Sequence, residues 1–402
     1  MTVTAVNKSM DETVAATLAW SGGPSPELGC DLILRMLHHP ECLQTLSIEE
    51  WGRLIPIAKV LGLWPRICVL VRDQKLETNV PEPVHQHLQS AITAADANEA
   101  VIRWEITRLQ EALAEVSDPV VVLKGAAFLL LGFQFARGRQ FGDVDILVPE
   151  SGLAAVETAL RRRGWVSNEK RPLDRLYYRR WLHEIAPMWH VNRQVPLDVH
   201  FSIIRSKDRV SFDPRPLFFD AVSIAESPLK VLHPTDMFLH ATANLFRTGE
   251  FDHLLRDLWD LRELVVHLER EPGFWDRTVN RAVSLNLRRE CFLAVRYLNV
   301  ICGLAAPETV KNATSGWGPS SLSLSFYDAL VRRCLFPQTL SRIDHGRNLA
   351  LTIREWWPPP RLRTVFSYLF WRKRLPTFPF DGGPHKPHAD PDDELRRRNL
   401  PY

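Results

Sequence analysis

The chain has 402 residues, 45% of them hydrophobic and 24% charged, with a formal net charge of +3. This composition is typical of a globular protein with room for two or three domains, and it argues against a protein that coats long nucleic acids. The six cysteines form no Cys-x-x-Cys pair, which argues against a zinc site of the usual spacing and against a disulfide framework.

Both ends of the chain are polar. Residues 1–26 lack the basic start and apolar centre of a secretory signal, and we interpret them as a flexible lead. Residues 380–402 have the composition of a disordered tail. No run of about 18 apolar residues predicts a membrane span, so we expect a cytoplasmic protein with no membrane partner.

Helical periodicity dominates residues 27–117. The segment SIEEWGRLIPIAKVLGL opens with Ser47 and has Glu50 three residues later, which is the pattern of a capping box. The segment from Pro83 to Val116 predicts one long helix or two. We therefore assign 27–117 to an N-terminal helical region.

Short runs of β-branched and apolar residues replace this pattern at Asp118 and predict the strands of a mixed sheet. The predicted strands are PVVVLK (119–124), DVDILV (143–148), WVSNE (165–169), LHEIAPMWHVN (182–192) and VPLDVHFSI (195–203). Helices are predicted directly after Gly125 and between Ser151 and Gly164. Residues 118–232 are therefore assigned to a central core.

Helical periodicity returns after Pro234, and we assign residues 233–379 to a C-terminal helical region. The predicted fold class is α+β, with a small mixed β-sheet core flanked by N-terminal and C-terminal helical regions.

Several polar residues of the C-terminal region recur at helical spacing. His240, Asn244 and Arg247 share one helical face, and Asp257 and Asp260 lie three residues apart. We interpret them as a polar helix face.

Two aspartates interrupt the apolar run of DVDILV. Alternate side chains of a strand share a face, so Asp143 and Asp145 are expected to point the same way with their carboxylates close together. Burying two adjacent anions is costly unless a cation compensates them, and Mg²⁺ prefers oxygen ligands of this kind. The pair predicts a metal site, with a solvated strand end as the structural alternative.

A third carboxylate and a glycine turn complete a pattern suited to phosphate chemistry. Asp198 lies alone among apolar residues in another predicted strand, and a two-metal transfer site needs such a further carboxylate. Gly125 lets backbone N–H groups approach phosphate oxygens, and Lys124 adds a positive charge. The alternatives are a salt bridge from Asp198 to an arginine, a surface lysine and a simple tight turn.

The ordered series VVLKGAAF, RGRQFGDVDILV and PLDVH resembles the nucleotidyltransferase superfamily of DNA polymerase beta type. It is most similar to the branch of bacterial uncharacterised nucleotidyltransferases, which has a Lys-Gly turn, an arginine four residues before Asp-x-Asp and a later Asp-x-His. Arg139 matches that arginine, and its implied role is to contact phosphate or to orient the aspartates. The similarity covers roughly residues 118–204. One departure is Ala126, because the superfamily commonly has a serine there whose hydroxyl contacts phosphate.

The resemblance implies Mg-dependent transfer of a nucleoside monophosphate from an NTP to an acceptor hydroxyl, with release of pyrophosphate. Asp143 and Asp145 would bind two Mg²⁺ ions and Asp198 one of them, as catalytic and metal-binding residues. Lys124 and Gly125 would bind the nucleotide together with the matched arginine. The acceptor is left open among a small molecule, a peptide, a protein side chain and an RNA end, and no long nucleic acid is expected. For the polar helix face of the C-terminal region, the alternative role is contact with the nucleotide base or with the acceptor.

Three histidines surround Asp198 in the sequence and suggest a competing chemistry. His200 lies two residues beyond Asp198 on the same strand face, while His183 and His190 precede it. A His/Asp metal site of this kind would suit a metal-dependent hydrolase. We interpret His200 instead as a packing residue or as a residue that contacts the metal ligands. A further alternative is a non-catalytic module that binds a nucleotide or a partner, to which the Gly-Ala turn points.

Overall fold

The computed structural model of the chain describes residues 29–167, 178–204, 212–248, 251 and 253–336. All of them fall within the larger of the two compact units of the chain, Met1–Pro358. The predicted flexible lead (1–26) and disordered tail (380–402) lie outside the described residues.

Four α-helices form the first part of the fold: α1 (Cys30–His38), α2 (Ile48–Val60), α3 (Trp64–Asp73) and α4 (Glu82–Ala112). The predicted capping box is present at α2. The N–H of Glu50 donates to Ser47 Oγ over 3.2 Å, and the N–H of Ser47 donates to the Glu50 carboxylate over 2.8 Å. The stretch that predicts one helix or two is a single helix of 31 residues, α4.

The described part of the chain contains one mixed sheet of seven strands. They are β1 (Val120–Val122), β2 (Val144–Leu147), β3 (Trp165–Ser167), β4 (Met188–His190), β5 (Leu197–His200), β6 (Val222–Ser223) and β7 (Leu229–Val231). Their spatial order is β3-β4-β5-β2-β1-β7-β6. β2 runs parallel to β5 and antiparallel to β1, which is itself parallel to β7. This mixed sheet between helical segments confirms the predicted α+β class.

Some strands differ from the sequence prediction. The sequence pattern does not predict β6 and β7, because two or three residues are too short to show a period of two. The segment LHEIAPMWHVN forms a strand only over Met188–His190, since Pro187 has no N–H to donate to a neighbouring strand. Before that proline, Glu184 meets His200 through an isolated β-bridge.

The remaining helices either connect strands or follow the sheet. The connecting helices are α5 (Lys124–Leu130), α6 (Leu153–Arg162) and α7 (Arg215–Phe219). The helices after the sheet are α8 (Pro234–Ala243), α9 (Leu254–Leu268), α10 (Phe274–Ser284), α11 (Arg288–Cys302), α12 (Glu308–Thr314) and α13 (Ser321–Leu335). Helix α8 packs against α9, α10 and α11. Among the described helices, none combines the length and the apolar character that a membrane crossing requires.

Candidate active site

The register of two central strands brings two aspartates together. β2 and β5 are parallel neighbours, and Asp145 of β2 lies directly opposite Asp198 of β5. The residues directly before and after Asp145 and Asp198 in their strands are all apolar, so the two carboxylates lie in an otherwise apolar part of the sheet. Only 2% of the Asp145 surface is exposed. Asp145 and Asp198 are 53 positions apart in the sequence, but they share one site in the fold.

Asp143 occupies a different environment from Asp145. It precedes the first residue of β2 and is exposed, whereas Asp145 is buried. Both residues line the same cavity. The charge of Asp143 also raises the pKa of Asp198 and that of Lys124, although burial and Asp145 have larger effects on those groups. Asp143 thus contributes negative charge at the cavity surface, close enough to act on Asp198.

Two cationic side chains contact Asp145. The Lys124 ammonium donates to Asp145 Oδ1 over 2.7 Å, and His200 Nε2 lies 3.0 Å from the same oxygen. Burial alone would raise the pKa of the Asp145 carboxyl, but Lys124 and His200 outweigh burial, so this pKa lies below its usual range. Lys124 has a φ of +50°, a strained conformation for a residue with a side chain, at the start of α5.

Asp198 is compensated less well, although the charge of His200 lowers its pKa. Its Oδ1 atom is buried and has no hydrogen-bond partner among the described residues. Burial and then the neighbouring charge of Asp145 raise the pKa of Asp198 to about 7. A buried carboxylate oxygen without a donor is unfavourable unless something else binds it. The two facing aspartates thus differ, since one is well paired and the other has a vacant acceptor.

His200 lies between two carboxylates. Its Nε2 is 3.0 Å from Asp145 Oδ1, and its Nδ1 is 3.1 Å from Glu184 Oε2. Burial lowers the pKa of His200, but the bonds to Asp145 and Glu184 outweigh burial and raise it to about 9. His200 thus contacts Asp145, which the sequence analysis predicts as a metal ligand, and its role stays a prediction. Glu184 was missed, because no local pattern links it to Asp198.

The other two histidines near Asp198 in the sequence do not join this group. His183 Nδ1 lies 2.9 Å from the carbonyl oxygen of Ile204, and His190 packs edge-on against Trp165. The described residues hold one group of three metal-ligating side chains, Asp145, Asp198 and His200, whose ligand atoms all lie within 4.8 Å of one another.

This donor set fits a divalent cation. Metal bonds of about 2.0–2.3 Å to oxygen or nitrogen place the ligand atoms within about 4.5 Å of each other, so a small contraction closes the site. The unpaired Oδ1 of Asp198 gives the set an acceptor that no described residue satisfies. Asp143 is outside the three-ligand group, although it lines the adjoining cavity.

The glycine turn lies beside the arginine that precedes the aspartates. A Cβ atom at Gly125 would come within 2.8 Å of the Phe141 ring and 3.0 Å of Arg139 Nη1, so this position has no room for a side chain. Arg139 Nε in turn lies 3.5 Å from Asp260 Oδ2. Lys124, Gly125 and Arg139 all line the cavity, and their role in nucleotide binding stays a prediction.

Helix α8, the π-helical turn that follows it (Asn244–Thr248) and helix α9 also line this cavity, which has a volume of about 270 Å³. The polar residues that they contribute are His240, Asn244, Arg256, Asp257 and Asp260. Arg247, predicted on the same helical face as the first two, instead pairs with the buried Glu290 over 2.7 Å. Residues of the C-terminal helices thus line the same cavity as Asp143 and Asp145.

Comparison with known proteins gives one match. A family model described as uncharacterised nucleotidyltransferase matches residues 47–303, which is more than half of the chain. The matched range includes α2, the strands of the sheet and the helices that form the cavity wall. No curated protein and no solved structure gives a match.

Proposed function

This chain belongs to the uncharacterised nucleotidyltransferase family, and we propose that it transfers a nucleoside monophosphate from an NTP to an acceptor hydroxyl with release of pyrophosphate. The observation that carries this proposal is the register of β2 and β5. It sets Asp145, which lines the cavity, directly beside Asp198, whose Oδ1 has no partner among the described residues. Such paired carboxylates on adjoining strands suit metal-assisted phosphoryl chemistry.

Three aspartates would hold the metal ions. We propose two Mg²⁺ ions, held by Asp143 and Asp145, with Asp198 as a further ligand of one of them. When bound, the ions supply Lewis-acid stabilisation of charge on the phosphate oxygens. The exposed Asp143 and the buried Asp145 lie at different depths of the same cavity wall, which supports a shared role on the nucleotide side.

The turn after β1 would receive the phosphates. Gly125 leaves the backbone accessible next to Arg139, and both residues line the cavity. The Lys124 ammonium contacts Asp145, and about a third of the Lys124 side chain is exposed. Lys124 therefore adjoins both the proposed metal ligands and the proposed phosphate site. We propose that Lys124 and Arg139 offset the negative charge of the triphosphate, and that backbone N–H groups replace the hydroxyl that Ala126 lacks.

The proposed reaction is a single displacement. The acceptor oxygen forms a bond to the α-phosphorus of the NTP, while the bond from that phosphorus to the bridging oxygen of the β-phosphate breaks. Pyrophosphate leaves with the electron pair. The proton of the acceptor hydroxyl passes to a carboxylate oxygen of Asp198 and then to solvent. The products are the nucleotidylated acceptor and pyrophosphate.

A direct test uses NTPs labelled at the α-phosphorus, beginning with ATP. The chain is incubated with Mg²⁺ and with separate pools of small molecules, peptides, proteins and short RNAs. We expect label to join one pool as pyrophosphate appears, and we expect Asp145→Asn to abolish this transfer. Asp276→Asn is the matched control, because Asp276 is exposed on α10 and does not line the cavity. Label that joins no pool, including the chain itself, would contradict the proposal.

A second candidate is a metal-dependent hydrolase, favoured by the presence of His200 in the three-ligand group. In a hydrolase, water is the acceptor, so ¹⁸O from solvent enters the nucleoside monophosphate and no pool becomes labelled. Nucleotide binding without either product would instead indicate a non-catalytic module on the same fold.

A further inference from the structure

We propose that His200 binds the metal directly through Nε2, and that Glu184 positions His200 by holding the proton of its Nδ1. This inference rests on the proposed function only in that both use the metal site at Asp145 and Asp198. It assigns a nitrogen ligand and a positioning residue to a site whose sequence pattern predicts three carboxylates. It also predicts that the site prefers Mn²⁺ to the Mg²⁺ expected for three carboxylates.

The strand geometry directs His200 toward the two aspartates. Asp198 and His200 are two residues apart in β5 and therefore share a face. Asp145 lies opposite Asp198 on the neighbouring strand, and His200 Nε2 is 3.0 Å from its Oδ1. The imidazole is mostly buried, with 17% of its side chain exposed. Nε2 therefore faces the two carboxylates and not the solvent.

The backbone fixes Glu184 on the other side of the imidazole. Glu184 forms a β-bridge with His200, and two backbone bonds flank it. The N–H of Ile185 donates to the Val199 carbonyl over 3.0 Å, and the N–H of Phe201 donates to the His183 carbonyl over 2.9 Å. Within this frame, the Glu184 carboxylate lies 3.1 Å from His200 Nδ1. Its position is thus set by the sheet and not by a flexible loop.

This contact selects the tautomer that a metal requires. A metal ion takes the place of the Nε2 proton of the imidazolium, and the carboxylate beside Nδ1 keeps the remaining proton on that atom. The lone pair is then on Nε2, directed at Asp145 and Asp198. A carboxylate that accepts from the far nitrogen of a metal-bound histidine is a recurrent arrangement, and it orients the ring and strengthens the ligand.

An independent observation also indicates a ligand at this position. Asp198 Oδ1 is buried and has no hydrogen-bond partner among the described residues. It belongs to the same group of ligand atoms as His200 and Asp145, all within 4.8 Å. A cation bound there satisfies the orphaned oxygen and replaces the contact of His200 with Asp145 by a bond from each to the metal.

The donor set defines the class of metal. Mg²⁺ favours oxygen ligands only, whereas an imidazole nitrogen increases the relative affinity for first-row transition ions. Two carboxylates and one imidazole therefore favour Mn²⁺ over Mg²⁺ at this position. We expect the nucleotide-free chain to bind Mn²⁺ at least about tenfold more tightly than Mg²⁺.

The test measures Mn²⁺ binding to the full chain without nucleotide. Calorimetry gives the Kd, and pulsed electron paramagnetic resonance reports whether a ¹⁴N nucleus is bonded to the Mn²⁺. We expect a ¹⁴N signal in the wild type and its loss in His200→Gln. Glu184→Gln should keep the signal and weaken Mn²⁺ binding by about 10–100-fold, as loss of a supporting carboxylate does elsewhere. His190→Gln is the matched control, a histidine of the same sheet outside the three-ligand group, and should change neither quantity.

Several results would overturn the inference. They are Mn²⁺ bound without a ¹⁴N signal in the wild type, a signal that survives in His200→Gln, no Mn²⁺ binding, or equal affinities for Mn²⁺ and Mg²⁺. If His200→Gln does not fold, the wild-type signal and the Glu184→Gln affinity still decide the question. NTP turnover is measured separately. Nitrogen ligation without turnover would refute the proposed function alone, and turnover without nitrogen ligation would refute this inference alone.

Discussion

Two buried charge clusters each contribute an aspartate, Asp145 or Asp260, to the lining of the same cavity, and their carboxylates are compensated differently. On α9, Asp260 accepts a hydrogen bond from Arg66 and lies 3.5 Å from Arg139. On β2 and β5, Asp145 is paired with cations but Asp198 keeps an unpaired buried oxygen. The first cluster is neutralised by the protein itself. Asp260 Oδ2 and Asp198 Oδ1 both lack a hydrogen bond from the described residues, but Asp260 lies among arginines, whereas Asp198 faces the negative charge of Asp145.

The pKa values express the same contrast. Burial would raise the pKa of Asp260, but Arg66, Arg139 and Arg256 outweigh burial and lower it. At the other cluster the pKa of Asp145 is lowered, while burial and Asp145 raise that of Asp198 to about 7. Divergent pKa values of neighbouring carboxylates are typical of functional sites. We infer that the Asp260 cluster serves stability and the Asp198 cluster serves ligand binding.

The largest expected effect is the loss of activity when the strand cluster is changed. Asp145→Asn and Asp198→Asn should each lower nucleotidyl transfer by at least about a thousandfold, since loss of one preorganised electrostatic contact alone costs about 10²–10³. Initial rates with saturating Mg²⁺–NTP measure this. Asp198→Asn should also leave the metal-free protein as stable as the wild type or more so, because it removes a buried unpaired charge. A large loss of stability in this variant would contradict the contrast.

The second effect is on stability at the other cluster. Asp260→Asn leaves the part-buried guanidiniums of Arg66 and Arg139 without a counter-charge, and breaking a buried pair in this way costs about 3–5 kcal/mol. Urea denaturation measures the free energy of unfolding, with Asp276→Asn as the exposed control. If Asp260→Asn lowers the free energy of unfolding by less than Asp276→Asn does, the arginines have other partners and this prediction is wrong.

The third effect is the pH dependence of that stability. The folded pKa of Asp260 is lower than its unfolded value of about 4, so the unfolded state binds more protons between the two values. The stabilising contribution of Asp260 is complete above the unfolded pKa and is lost as the pH falls through the folded pKa. The difference in unfolding free energy between wild type and Asp260→Asn should therefore be constant above about pH 5 and shrink in stronger acid. A difference that grows on acidification would reverse this assignment.

The smallest effect is expected at the turn between the clusters. Gly125→Ala forces a methyl group to within 2.8 Å of the Phe141 ring and 3.0 Å of Arg139, and overpacking of this kind costs about 1–3 kcal/mol. Because Arg139 must shift, we also expect the KM for NTP to rise more than kcat falls. Steady-state kinetics check this, and Gly52→Ala, at an open position of α2, is the control. An unchanged KM for NTP would show that the turn at Gly125 does not take part in nucleotide binding.

Features encoded within a few residues could be predicted from the sequence. The capping box at Ser47 and the strand with Asp145 depend on local spacing, and both are present. The α+β class follows from the change of period at Asp118. Asp198 could be selected because one acid among apolar strand residues is unusual.

Features that depend on distant pairings could not be predicted. Glu184 meets His200 only because the chain forms a bridge between Glu184 and β5. Asp260 meets Arg66 across 194 positions, and neither residue has a pattern that predicts this partner. Strand β7 pairs with β1 over only three residues, which is too short for the alternation of apolar and polar residues that predicts a strand. These features are set by tertiary packing, on which local propensity has little influence.

The most direct test of the central claim is calorimetric titration of non-hydrolysable Mg²⁺–NTP analogues into the wild type and into the Asp143→Asn/Asp145→Asn double variant. The account predicts metal-dependent binding to the wild type and none to the folded double variant, which would locate the nucleotide at the strand cluster. Equal binding to both proteins, or no binding of any NTP to the folded wild type, would contradict it.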